Sequence, residues 1–149
     1  RDLVEHSNIG IYYYDSKTEK WTYTKTENNK RKQLLTAKLN SLDAITVIQD
    51  LDSPVIESTF PGNNGQYHFG DVNKIVVKVD DFISGIEPEE KSFNLTLNGK
   101  ELYPGFQPIK KTITYNFDQP IQKGPHKIEF SVRDRMENQS SQIIYFSVY

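Results

Sequence analysis

Two groups of side chains could do chemistry. The first is acidic. Asp50 and Asp52 lie in the polar stretch Gln49-Asp50-Leu51-Asp52-Ser53-Pro54, Asp80 and Asp81 close an apolar alternation, and Asp134 and Glu137 follow another. Hard cations such as Ca²⁺ collect carboxylate and carbonyl oxygens from loops that converge. A strand count brings these three segments to one end of a sandwich, so they form a candidate calcium site. The competing reading is that the carboxylates cap turns and pair with Arg133 and Arg135. The second group is aromatic: Tyr12, Tyr13, Tyr14, Trp21 and Tyr23. If Ile9, Ile11 and Tyr13 face a core, Tyr12 and Tyr14 face outward and form an aromatic row with Trp21. Such a row can stack on sugar rings or on a partner. Against this stands plain packing beneath further strands.

Catalytic constellations are missing from the sequence. The three histidines, His6, His68 and His126, include no pair at metal-ligand spacing. His68 has Asp71 three residues on, in a Gly-rich turn, and His126 opens a strand as a packing residue. The chain has no Cys, so it has no disulfide and no thiolate metal site. It contains no G-x-S-x-G nucleophile elbow and no phosphate-cradling Gly-rich motif. The expectation is therefore no enzymatic activity, no catalytic residue and no cofactor other than calcium.

The elements that must position these groups read as β. With 149 residues the chain is one large domain or two small ones. β-branched and aromatic residues abound while Ala occurs only at positions 37 and 44, a composition suited to pleated sheets and not to helices. The net charge of −2 lacks the basic footprint of a nucleic-acid binder. No run approaches the ~18 apolar residues of a membrane span. The chain opens on Arg1 without a recognisable signal sequence, and reads as an excised piece of something longer.

Residues 51–149 predict an Ig-like β-sandwich of about seven short strands. Val55 to Phe60 opens the set. Ile75, Val77 and Val79 share one face, as do Phe93, Leu95 and Leu97. Asn98-Gly99 then predicts a type I′ hairpin, whose two central residues need positive φ, with Lys100 to Tyr103 returning. Ile113, Tyr115 and Phe117 alternate next, then Ile128, Phe130 and Val132, then Ile144, Phe146 and Val148. The expected core contains Ile56, Ile75, Val77, Val79, Leu95, Leu97, Tyr115, Phe117, Ile128, Phe130 and Val132. Residues 1–50 predict a smaller β-domain, the C-terminal part of a larger one. Its four strands run through Ile9 to Tyr13, Trp21 to Thr24, Gln33 to Leu39 and Ala44 to Ile48, with Glu27 to Lys32 a charged loop.

Several segments together resemble a bacterial Ig-like module. They are Asp80-Asp81-Phe82-Ile83-Ser84-Gly85-Ile86, Leu95-Thr96-Leu97-Asn98-Gly99, Gly124-Pro125-His126, Val132-Arg133-Asp134, Glu137-Asn138 and Phe146-Ser147-Val148. The resemblance covers Pro54 to Tyr149. Asn98 stands where the family usually has Asp, and Glu137 where it usually has Gly. Residues 11–50 are similar to the small β-domain that often precedes that module. Such pairs occur in the C-terminal regions of envelope proteins, among them lysostaphin-type zinc peptidases. The resemblance implies an extracytoplasmic, non-catalytic accessory module that spaces or docks a larger envelope protein. Its partners would be other domains of that parent. The alternative is a carbohydrate- or peptidoglycan-binding module that uses Tyr12, Tyr14 and Trp21 on cell-wall glycan.

Overall fold

A computed structural model describes residues 8–39 and 44–149. His6 lies outside them. In the first 50 residues, β1 (Ile9–Asp15) and β2 (Lys20–Thr24) form an antiparallel hairpin. Its turn is fixed by Asp15, whose Oδ1 accepts from the Lys17 N–H at 2.9 Å. β3 (Thr26–Asn29) and β4 (Leu34–Ala37) form a separate two-stranded ribbon. β5 (Ile45–Gln49) adds to β1, giving the order β2-β1-β5. The expected single four-stranded sheet is thus a three-stranded sheet plus a ribbon. The charged segment Glu27 to Lys32 is also not all loop. Asn29 ends β3 and caps a single 3₁₀ turn at Lys30–Lys32 by accepting from the Lys32 N–H at 3.0 Å. Gln33, at φ 52°, returns the chain into β4.

The sandwich contains β6 (Val55–Phe60), β7 (Gly65–Tyr67), β8 (Lys74–Asp80), β9 (Phe93–Leu97), β10 (Lys100–Leu102), β11 (Gly105–Gln107), β12 (Thr112–Asn116), β13 (Gly124–Arg133) and β14 (Gln139–Val148). One sheet has the order β10-β9-β13-β14-β7 and the other β11-β12-β8-β6. All seven expected strands are present, and the three-residue strands β7 and β11 join them. β7 runs parallel to β14, whereas every other pairing is antiparallel. Asn98 and Gly99 take φ of 52° and 80°, the backbone a type I′ turn demands.

Alternation along the strands builds one core between the sheets. Ile75, Val77 and Val79 of β8 meet Leu95, Ile128, Phe130, Val132, Ile144, Phe146 and Val148 from the opposite sheet, all buried. Ile56, Leu97, Tyr115 and Phe117 are only partly buried against it. Ile113, at 1% exposure and in register with Val77, is the residue of β12 that enters the centre. His126 is a packing residue. Its ring stacks on Phe146 at 5.1 Å, takes a hydrogen bond from Asn98 Nδ2 at 3.0 Å, and gives one from Nε2 to the Gln122 carbonyl at 2.7 Å.

Phe130 and Ile128 sit at the middle of this core, so truncation leaves a cavity that the rigid sheets cannot close. Phe130→Ala or Ile128→Ala is expected to lower unfolding free energy in a denaturant titration by about 2–5 kcal/mol. A loss below about 1 kcal/mol would contradict this packing.

Candidate functional site

Strands β8 and β13 both finish at the end of the sandwich that meets the N-terminal sheet, and each runs directly into an aspartate turn. Neighbouring residues on a strand point to opposite faces. Asp80 accordingly turns outward, where it pairs with Lys111. Asp81 turns inward and organises the next turn: its Oδ1 accepts from the Gly85 N–H and from Ser84 Oγ at 3.3 Å. Gly85 sits at φ +75°, a conformation a side chain would strain. Asp134 follows β13 in an Asx-type turn, its Oδ1 accepting from the N–H groups of Met136 (2.7 Å) and Asn138 (2.8 Å). Glu137, at φ 67°, occupies the left-handed position of that turn.

Asp50, one residue past β5, completes the arrangement. It is fully buried, accepting from the Asp52 N–H at 3.1 Å and from the Ser84 N–H at 3.0 Å. Asn138 joins the parts. Its Nδ2 donates to Asp134 Oδ2 (2.8 Å) and to the Asp50 carbonyl (3.0 Å), and its Oδ1 accepts from Asn8 Nδ2 at 2.6 Å. One carboxylate oxygen each of Asp50, Asp81 and Asp134 lies within 4.8 Å of the others.

The environment opposes charge. Burial raises the Asp81 carboxyl above its ordinary value, with the charge of Asp50 adding to it, and the Gly85 and Ser84 donors pull the other way. Asp134 is raised chiefly by burial, with Asp81 adding to it, against the Asn138 and Met136 donors. The nearby cations are engaged elsewhere. Arg135 donates to Glu87 at 2.7 Å and to the Ser84 carbonyl at 3.1 Å, its guanidinium over the Tyr23 ring. Lys111 holds Asp80, and Arg133 reaches Glu137 at 3.6 Å. Among the described residues, no ion pair reaches Asp50, Asp81 or Asp134. Three oxygen ligands without His or Cys form a donor set for a hard cation.

Of the six carboxylates proposed for a metal, the structure brings together Asp50, Asp81 and Asp134 and not Asp52, Asp80 or Glu137. The Asp52 and Glu137 side chains are exposed, and Asp80 belongs to the Lys111 pair. The aromatic row needs a larger correction. Tyr12 is 1% exposed, not an outward platform residue. Gly10 and Tyr12 share the face of β1 that meets the sandwich. A Cβ on Gly10 would stand 2.7 Å from Met136 Cε and 2.8 Å from the Tyr23 ring. Tyr12 packs edge-on to Tyr23 at 5.5 Å, and its hydroxyl has no hydrogen-bond partner among the described residues. That hydroxyl's pKa lies far above the ordinary tyrosine value, through burial first and then through the charges of Asp50, Tyr23, Asp81 and Asp134. Tyr14 and Trp21 make a separate edge-on pair at 5.4 Å, with Trp21 exposed. Sequence reasoning gave no binding role to Asn8, Ser84 or Asn138. A signal for the buried face of β1 was available in Gly10, since glycine within a strand marks a close approach.

No family model matches the chain, and no curated protein matches it. Solved structures do. CopC from Methylosinus trichosporium OB3b aligns with 64% of this chain and 92% of its own, at 14% identity and TM-score 0.51. PcoC, a methionine rich copper resistance protein from Escherichia coli, aligns with 66% of this chain and 100% of its own, at 13% identity and TM-score 0.48. Dimeric latent PorU from Porphyromonas gingivalis aligns with 100% of this chain at 16% identity and TM-score 0.51, and the chain spans 15% of PorU's length. At these identities the likeness is one of fold: an all-β chain carrying an Ig-like β-sandwich.

Asn138 bonds Asn8 and the Asp50 carbonyl across this site as well as Asp134 in its own turn, and its removal leaves several partners unsatisfied in a partly buried place. Asn138→Ala is expected to cost about 1–3 kcal/mol in a denaturant titration. The exposed control Asn94→Ala should stay within about 0.5 kcal/mol of wild type. Equal, small effects of both would contradict the role given to Asn138.

Proposed function

We propose that the chain is a non-catalytic, extracytoplasmic accessory module that holds the neighbouring domains of a larger bacterial envelope protein at a fixed angle. The observation that carries this reading is the junction. Asp50 is fully buried between the N-terminal sheet and the sandwich, and Asn138 bonds Asn8, Asp50 and Asp134 at once. A flexible tether would leave its backbone and side chains to water. Here they are bonded across the joint, and Gly10 permits contact too close for a side chain.

Two further points support the same reading. The chain aligns over its whole length with a small part of PorU, so a similar succession of β elements exists inside a longer protein. The resemblance of the segments around Asp81, Asn98 and Asp134 to a module of envelope-protein C-terminal regions favours the same kind of parent, a cell-wall peptidase being one such parent. Both ring nitrogens of His126 are engaged inside the fold, and His68 stands beside Tyr149 at a ring distance of 4.5 Å, so neither histidine belongs to a hydrolytic centre in this reading.

A rigid coupler tumbles as one body. Backbone ¹⁵N relaxation of the full chain is expected to give one rotational correlation time for amides in β1, β2 and β5 and for those in β8, β13 and β14. A shorter correlation time for the N-terminal strands, independent of the sandwich, would contradict the proposal.

A further inference from the structure

We propose that Asp50, Asp81, Asp134 and the Tyr12 hydroxyl form a Ca²⁺ site that clamps the N-terminal sheet to the sandwich. The inference deepens the rigid-coupler reading and rests on it for its role. Placement, charge and a buried phenol point to it.

The first is placement. Asp50 follows β5, Asp81 follows β8 and Asp134 follows β13, yet an oxygen of each lies within 4.8 Å of the others. Ca²⁺ holds oxygens at ~2.3–2.6 Å, so ligands on opposite sides of one ion stand up to ~4.6–5.2 Å apart. Mg²⁺, with bonds of ~2.0–2.1 Å and a retained water shell, suits a more compact and wetter site.

The second is charge. Two buried carboxylates and the half-buried Asp81 repel one another, and no basic side chain is paired with them among the described residues. Their N–H and hydroxyl donors orient them without cancelling the charge. Each carboxylate oxygen has two lone pairs, and Asp81 Oδ2 accepts no hydrogen bond among the described residues, so capacity for an ion remains.

The third is independent of the acidic cluster. Tyr12 is 1% exposed and comes from β1, in the sheet on the other side of the joint. Its hydroxyl bonds no protein group among the described residues, although the charges of Asp50, Asp81 and Asp134 all bear on it. A buried polar group without a partner costs stability, and an ion or a water that bonds it recovers that cost. A neutral phenol oxygen within electrostatic reach of the three carboxylates is a further hard ligand, with main-chain carbonyls and water left to complete the shell. An ion so held would bond both sides of the joint at once.

The test uses the full chain stripped with a chelator, then titrated with CaCl₂ in a calorimeter and melted with and without the ion. One Ca²⁺ per chain is expected. At about 100 times Kd, Ca²⁺ should raise Tm by roughly 5–10 °C, since the ion binds only the folded state. Asp81→Asn should weaken binding by roughly tenfold or more, given that loss of a supporting outer partner alone costs about 10–100-fold. Tyr12→Phe should melt no lower than wild type in chelator, because it removes an unpartnered hydroxyl, yet bind Ca²⁺ more weakly. Asp80→Asn and Glu137→Gln should bind as wild type does. Absence of both heat and a Tm shift at millimolar Ca²⁺ would overturn the proposal. So would tighter binding of Mg²⁺, or Ca²⁺ binding untouched by Asp81→Asn and Tyr12→Phe. If Asp81→Asn does not fold, Tyr12→Phe decides alone. A single tumbling body without Ca²⁺ binding would sink the site and leave the rigid coupler standing, while Ca²⁺ binding with independent tumbling would sink the coupler and the clamp and leave only an ion bound to the acidic turns.

Discussion

One side-chain amide ties the molecule's two parts together. Asn138 reaches Asn8 at the start of the N-terminal sheet, the Asp50 carbonyl where that sheet ends, and Asp134 where β13 leaves the sandwich. A planar amide has two N–H donors and one carbonyl acceptor, and here both kinds are used. The bonds are directional, so together they fix how the chain enters the sandwich as well as that it touches it. Asp50 and Asp134 orient the turns around them through main-chain donors, and those turns in turn place Ser84 and Met136.

This arrangement trades stability for definition. A joint built of apolar contacts alone would avoid the desolvation that raises the Asp81 and Asp134 carboxyls. It would also allow sliding, because apolar contact has no preferred direction. The sandwich can carry that cost. Its centre is a continuous set of aliphatic and aromatic side chains from β8, β9, β12, β13 and β14. The N-terminal sheet has three strands and a much smaller apolar store, with Ile45 and Val47 of β5 exposed. It draws order from the neighbour it docks on.

The sandwich was legible because a period of two is hard to disguise over five to ten residues, as in β8, β13 and β14. The strands β7 and β11 were not, since three residues show no period and a parallel partner such as β14 leaves no hairpin signal. The site was legible only to the level of loops. A strand count gathers the linker and the turns after β8 and β13, but it does not say which carboxylate of each pair turns inward. Asp80 and Asp81 are adjacent and go opposite ways. For β1 the ambiguity was complete. Ile9, Ile11 and Tyr13 on one face and Gly10, Tyr12 and Tyr14 on the other are both plausible core faces. Only the surface that docks against Gly10 decides between them, and it lies more than a hundred residues away, at Met136.

Native-state hydrogen exchange of the full chain tests the joint most directly. The amides of Ser84, Gly85, Met136 and Asn138 all donate to carboxylates of the Asp50, Asp81 and Asp134 cluster. If the joint opens only when the sandwich unfolds, these four should exchange as slowly as Val77 and Ile128 in the core, despite lying in loops. Exchange at the rate of an exposed loop, while Val77 and Ile128 stay protected, would contradict the account: the two parts would then separate without unfolding.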